Sequence, residues 1–254
     1  MRKSILVFLV LLVPVQAFAT NFWAMRILRV PEAREGWEYL DGVVRSGYHQ
    51  MRSLDVRSLV YPNRKLADLY PVWILKTMIV IEHTGYEEYR TDIAQPILRV
   101  LKTFAREGRE AFARDQSSAG AEAMAQFMPG SYIIVQRMYP GAQLPSFTEC
   151  MHDHACQIRA MLCHFDAGRI ALTTRIRKDL ERRALRFALN IAAAYNAGGD
   201  RASFAALRHP RTWFIHGSGL PLQTRDYLWK FRRAQLPVYA LERENHPRRR
   251  VRIR

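Results

Sequence analysis

Three short stretches of this chain bring together residue types that can do proton chemistry beside a polar ligand. The first is Ile79-Val80-Ile81-Glu82-His83-Thr84-Gly85, where a carboxyl ends a strongly apolar run. A carboxyl desolvated in that way ionises less readily, and its pKa moves toward the range of a general acid. The second is Ser117-Ser118-Ala119-Gly120-Ala121-Glu122-Ala123-Met124-Ala125-Gln126-Phe127-Met128-Pro129. Its small residues allow backbone to approach a ligand, and the Gln126 amide offers both a donor and an acceptor. The third is Ala194-Tyr195-Asn196-Ala197-Gly198-Gly199, a phenol and an amide at the end of a helical run. Each stretch also has a purely structural reading: an exposed helix end, a tight packing joint and an ordinary glycine cap.

The elements that must position these residues read as helices. The run 72–81 follows Pro71 and is long enough for three turns. Asp92 is a candidate N-cap for a helix with Ile93, Ile97, Val100, Leu101, Phe104 and Phe112 on one side. A short helix is expected to end at Met128, and Ser131 can cap the next. Further helices are expected over about 151–166, 174–196, 201–207 and 223–235. No strand alternation is found, so the expectation is an all-α chain. Its expected segments are a signal peptide at 1–19, a helical segment at 20–70, a main domain at 71–235 and a flexible basic tail at 236–254.

The first 19 residues combine a charged head, Arg2-Lys3, with an apolar run from Ile5 to Val15 and the small-x-small pattern Ala17-Phe18-Ala19. That is the pattern of a cleaved secretory signal, which predicts export to the periplasm or cell envelope. The run is shorter than the ~20 residues of a membrane-spanning helix. The formal net charge is +16, concentrated late in Arg248-Arg249-Arg250-Val251-Arg252-Ile253-Arg254. In an exported protein this points to an anionic wall or membrane surface, with no nucleic acid as partner. Export also permits a disulfide, and Cys150 can reach Cys156. Cys156 and Cys163 would lie about 10 Å apart along one helix, too far to bond. His152, His154 and His164 lie nearby, but their spacing with the cysteines fits no standard zinc pattern, and no metal is expected.

Taken in order, the three stretches resemble the lytic transglycosylases, lysozyme-like enzymes of bacterial cell-wall turnover. A fourth element, Leu220-Pro221-Leu222-Gln223-Thr224-Arg225-Asp226-Tyr227-Leu228, is similar to the family's closing Leu-Pro-x-Glu-Thr-x-x-Tyr-Val. The resemblance spans about 71–231. It implies a lysozyme-like single domain with Glu82 as the catalytic acid/base. Tyr195 would orient that carboxyl, and Gln126, Met128, Asn196 and Tyr227 would line the substrate site, with no cofactor. The implied substrate is the peptidoglycan glycan strand, cut between N-acetylmuramic acid and N-acetylglucosamine to leave a 1,6-anhydro end. A secretion or conjugation apparatus is a further partner consistent with it. The chain departs from the family in having His83 after the Glu, where Ser is usual, and Gln223 in place of Glu. The stretch from Glu82 to Gly120 is also longer than in the soluble type, as if it carried a helical insertion. A lysozyme-like hydrolase and a non-catalytic wall-binding protein remain alternatives. Among the other carboxyls before Gly120, Glu87, Glu88, Glu107 and Glu110 sit in polar or arginine-rich surroundings that favour the ionised form.

Overall fold

The computed structural model describes residues 22–208 and 219–246; the expected signal peptide and the arginine run at 248–254 lie outside the described residues. These residues form an all-α structure. Their extended pairings are isolated bridges, Arg57 with Lys65, Gln116 with Glu122 and Glu122 with Phe127. No helix among them is long and apolar enough to cross a membrane.

Helix α1 (Pro31–Ser53) starts at a proline, which needs no N–H partner there. It buries Ala33, Trp37, Leu40, Val44, Tyr48 and Met51 at helical spacing. Gly36 lets it lie directly against the backbone of the following partner helix, since a Cβ there would collide with the Leu101 carbonyl. That partner, α3 (Ala94–Glu107), buries Ile97, Val100, Leu101 and Phe104. The described part of the expected 20–70 segment therefore shares one core with the other described residues.

Helix α2 (Val72–Glu82) buries every residue from Ile74 to Ile81. Each large apolar side chain removed from water there contributes roughly 1.5–3 kcal/mol. Helix α4 (Pro129–Met138) packs on α5 (His154–Ile170). The latter also meets α1 and α7 (Ala184–Ala197), so it is surrounded. Between them lies α6 (Thr174–Glu181). Gly198, at φ +89°, ends α7 and turns the chain into α8 (Gly199–Arg208). The long helix α9 (Leu222–Asn245) then packs along α2 and α7.

Several boundaries differ from those read in the sequence. Helix α3 stops at Glu107, and Phe112 lies beyond it with φ +61°. Its N-cap is Ile93, while the Asp92 carboxylate accepts from Ala94 N at 2.8 Å. Residues 111–128 form a compact loop and not a helix, and α4 begins at Pro129 rather than behind a Ser131 cap. The 174–196 helix is broken into α6 and α7. The flexible tail does not begin at 236, because α9 continues through Pro237 to Asn245. Proline removes one helical hydrogen bond and strains the preceding turn. Burial of Val238, Ala240 and Leu241 outweighs that cost.

The last turn of α9 is also held by charge. Lys76, fully buried in α2, donates to Asp41 at 2.5 Å and to Glu242, and its ammonium lies 4.3 Å from the centre of the Trp37 ring. Arg45 bridges the same two carboxylates at 2.8 Å each. Burial alone would raise the Asp41 carboxyl, but the hydrogen bond from Arg45 and the Lys76 charge hold it down to about 2.

Candidate active site

Glu82 is the last residue of α2, so the apolar helix delivers its carboxyl half-buried at the helix end. Two residues of α9 converge on this end. The Tyr227 hydroxyl donates to Glu82 Oε1 at 2.6 Å. Lys230 Nζ donates to the Ile81 and Thr84 carbonyls at 2.8 and 2.7 Å. Its positive charge thereby closes the negative C-terminal end of α2. Burial pushes the Glu82 carboxyl above its ordinary value. The Tyr227 hydrogen bond, the Lys230 ammonium and His83 pull it down without cancelling that effect. Lys230 is itself pushed down by burial, against the opposing pull of Glu82, Glu88 and Asp226.

The loop at 111–128 packs against His83, the residue that follows Glu82. It holds Phe112, Gly120, Ala123 and Gln126 at positive φ, and three of these four carry a side chain. Non-glycine residues keep such a conformation only where surrounding structure imposes it. Here three elements impose it. His83 Nε2 lies 2.9 Å from the Met124 carbonyl oxygen. Gln157 of α5 accepts from Ala125 N at 2.9 Å, and Tyr195 of α7 donates to Ala125 O at 2.5 Å. His83 also stacks on Phe112, with ring centres 3.8 Å apart, and its Nδ1 meets Asp115 Oδ2 at 3.1 Å. That bond holds the Asp115 carboxyl below its ordinary value.

Tyr227 and Tyr195 are thus brought to Glu82, with altered tasks. Tyr227, not Tyr195, holds Glu82. Tyr195 pins the loop, though it remains close enough for the Glu82 charge to raise its phenol further after burial has done so. Gln126 Nε2 donates to the Ala123 carbonyl at 2.9 Å, so half of its amide stabilises the turn it sits in. Asn196 accepts at Oδ1 from Thr224 at 2.8 Å, which ties α7 to α9. Met128 is 40% exposed at the end of the loop. Glu107 and Glu110 are exposed, and Glu110 pairs with Arg109. Glu88 is engaged by Arg99 and by Gly85 N.

Sequence reasoning missed Lys230, Gln157 and the work of His83. Lys230 follows Tyr227 by three residues, a spacing that puts both on one helix face. Gln157, a fully buried polar side chain between the apolar residues Cys156 and Ile158, carried a similar signal.

Cys150 and Cys156 are joined by a disulfide, and Cys163 is a buried free thiol. His154 is engaged by the Tyr39 hydroxyl and the Ala111 carbonyl. Asp41, Glu242 and His246 lie close enough together to hold a cation, but Lys76 and Arg45 already neutralise both carboxylates. Comparison of the chain with protein-family models, curated proteins and solved structures finds no match.

Proposed function

We propose that the protein is a peptidoglycan lytic transglycosylase on a lysozyme-like fold, with Glu82 as its single acid/base and α3 as the helical insertion. The observation that carries the reading is the Glu82 carboxyl itself. It is raised by burial, anchored by one hydroxyl, and subject to the basic groups Lys230 and His83. A carboxyl in that state can be protonated when substrate arrives and still give up its proton.

The proposed reaction is a one-carboxylate cleavage. Glu82 gives its proton to the oxygen joining N-acetylmuramic acid to N-acetylglucosamine, and that bond breaks. The muramoyl N-acetyl oxygen supports the positive charge building at C1. The ionised Glu82 then takes the proton of the muramoyl 6-hydroxyl, whose oxygen bonds to C1 and closes the 1,6-anhydro ring. Glu82 ends protonated, and no water is consumed. Tyr227 steadies the carboxylate through the ionised interval, when its hydrogen bond is strongest. With Nε2 of Gln126 and Oδ1 of Asn196 engaged internally, the groups they offer an acetamide are the Gln126 carbonyl and the Asn196 amide N–H. Met128, exposed at the end of the loop, would supply apolar surface to the ligand. The protein would act after export, in the periplasm or cell envelope, with the 248–254 arginines drawn to anionic wall or membrane.

The test is digestion of purified sacculi by the wild-type protein and by Glu82→Gln. Clearing by the first and none by the second supports the reading. No clearing by the wild type would favour a wall-binding role.

A further inference from the structure

At the opposite end of α2 from Glu82, about 15 Å away along the helix axis, is a cavity of about 620 Å³. That volume lies within the range of small-molecule sites. It takes no part in the chemistry proposed for Glu82.

The walls divide into two kinds. Trp73, Phe187 and Tyr239 supply half-buried aromatic surface, with Tyr70 behind them. The polar wall is dominated by arginine. Each carboxylate on it is already paired with a wall cation: Glu242 with Arg45 at 2.8 Å, Asp68 with Arg52 at 2.9 Å, and Glu181 with Arg169. Two wall arginines, Arg64 and Arg243, have no ion-pair partner among the described residues. The wall therefore carries uncompensated positive charge. Two further features add to it. Arg169 is 1% exposed and its buried Nε has no hydrogen-bond partner. The α2 N-terminus also opens here behind Pro71 without a side-chain cap, which adds free N–H groups and the positive end of the helix dipole.

We infer that this cavity is a binding site for a small organic anion with a flat apolar face, either an aryl phosphate or carboxylate or an anionic sugar. The aromatic wall takes the ring. Arg64, Arg243 and the helix end take the charge. A neutral ring would leave the guanidiniums unanswered, and a bare inorganic anion would leave the aromatic wall unused.

Titration calorimetry and saturation-transfer NMR on the full chain test this with phenyl phosphate, glucuronate, neutral glucose and inorganic phosphate. Saturable binding of phenyl phosphate or glucuronate is expected, and whichever binds more tightly identifies the aryl or the sugar body. Arg64→Ala/Arg243→Ala should weaken it at least tenfold. Both side chains are exposed, so this variant should melt like the wild type. Binding should also weaken in the wild type as salt is raised, a readout that needs no variant. Glu82→Gln should bind as the wild type does. The inference is overturned if neither organic anion binds saturably, if the double variant binds undiminished, or if glucose or inorganic phosphate binds equally well.

Discussion

Asp166 and Glu82 are both carboxyls drawn into the protein interior, and the donors around them differ sharply. Asp166, near the C-terminal end of α5, is fully buried. It accepts from Ser58 Oγ at 2.7 Å, Tyr70 at 3.0 Å and Tyr139 at 2.9 Å, and from Leu59 N at 2.7 Å with a longer contact to Val60 N. Those donors fix the 58–60 turn, the entry to α2 and the end of α4 on one residue. Glu82 has one hydroxyl, from Tyr227, and partial access to the surface. The donors around Asp166 commit its oxygens to holding the fold together. The Glu82 carboxyl, raised by burial and held by a single hydroxyl, keeps the capacity to exchange a proton with a ligand. The number of donors separates an acid that organises the fold from one that can work on a ligand.

The crossed substitutions break this comparison most strongly. Glu82→Gln should cost about 10²–10⁴ in glycan cleavage and leave the melting temperature no lower. Asp166→Asn presents N–H groups to a set of donors and should cost about 3 kcal/mol of stability or more. Thermal melts beside sacculus clearing read both. If Asp166→Asn stays stable or Glu82→Gln stays active, the distinction fails.

Lys230→Met comes next. It uncovers two carbonyls at the end of α2 and should cost about 1–3 kcal/mol. It also removes a charge that lowers the Glu82 pKa. Because an acid catalyst acts while protonated, activity falls as pH rises through that pKa, so the alkaline limb should move up. Tyr227→Phe should move the same limb in the same direction with less loss of stability. A limb that moves down in either pH–rate profile contradicts the electrostatics described for the site.

The smallest effect concerns His164, beside Tyr195 and Phe127. Burial lowers it to about 4 from an ordinary 6.5. The unfolded chain therefore takes up this proton first as the pH falls. Stability should decline from about pH 6.5 toward 4, by up to about 2 kcal/mol once its partial surface access is allowed for. His164→Leu should flatten that decline in melts across the range, and an unchanged slope would assign it to other groups.

Helix α2 and its terminal Glu82 were legible in the sequence, because an apolar run ending in one charged residue is a local pattern. The 111–128 loop was not. Ala121, Glu122, Ala123 and Met124 favour a helix by propensity, yet bonds from His83, Gln157 and Tyr195, far apart in sequence, hold that segment in a positive-φ turn. The choice between Tyr195 and Tyr227 as the partner of Glu82 was equally hidden, since both follow the carboxyl and only helix packing decides which hydroxyl reaches it. The end of α9 was hidden as well: Pro237 is a local breaker of helices, and what carries the helix past it is long-range, the burial of Leu241 and the grip of Lys76 on Glu242.

The central claim is that Glu82 cleaves glycan strands by internal ring closure, without a second carboxylate or an added water. Mass analysis of the fragments released from purified sacculi tests this directly. The account predicts muropeptides that end in 1,6-anhydro-N-acetylmuramic acid. Fragments carrying only reducing ends would mean that water attacks C1, and would contradict it.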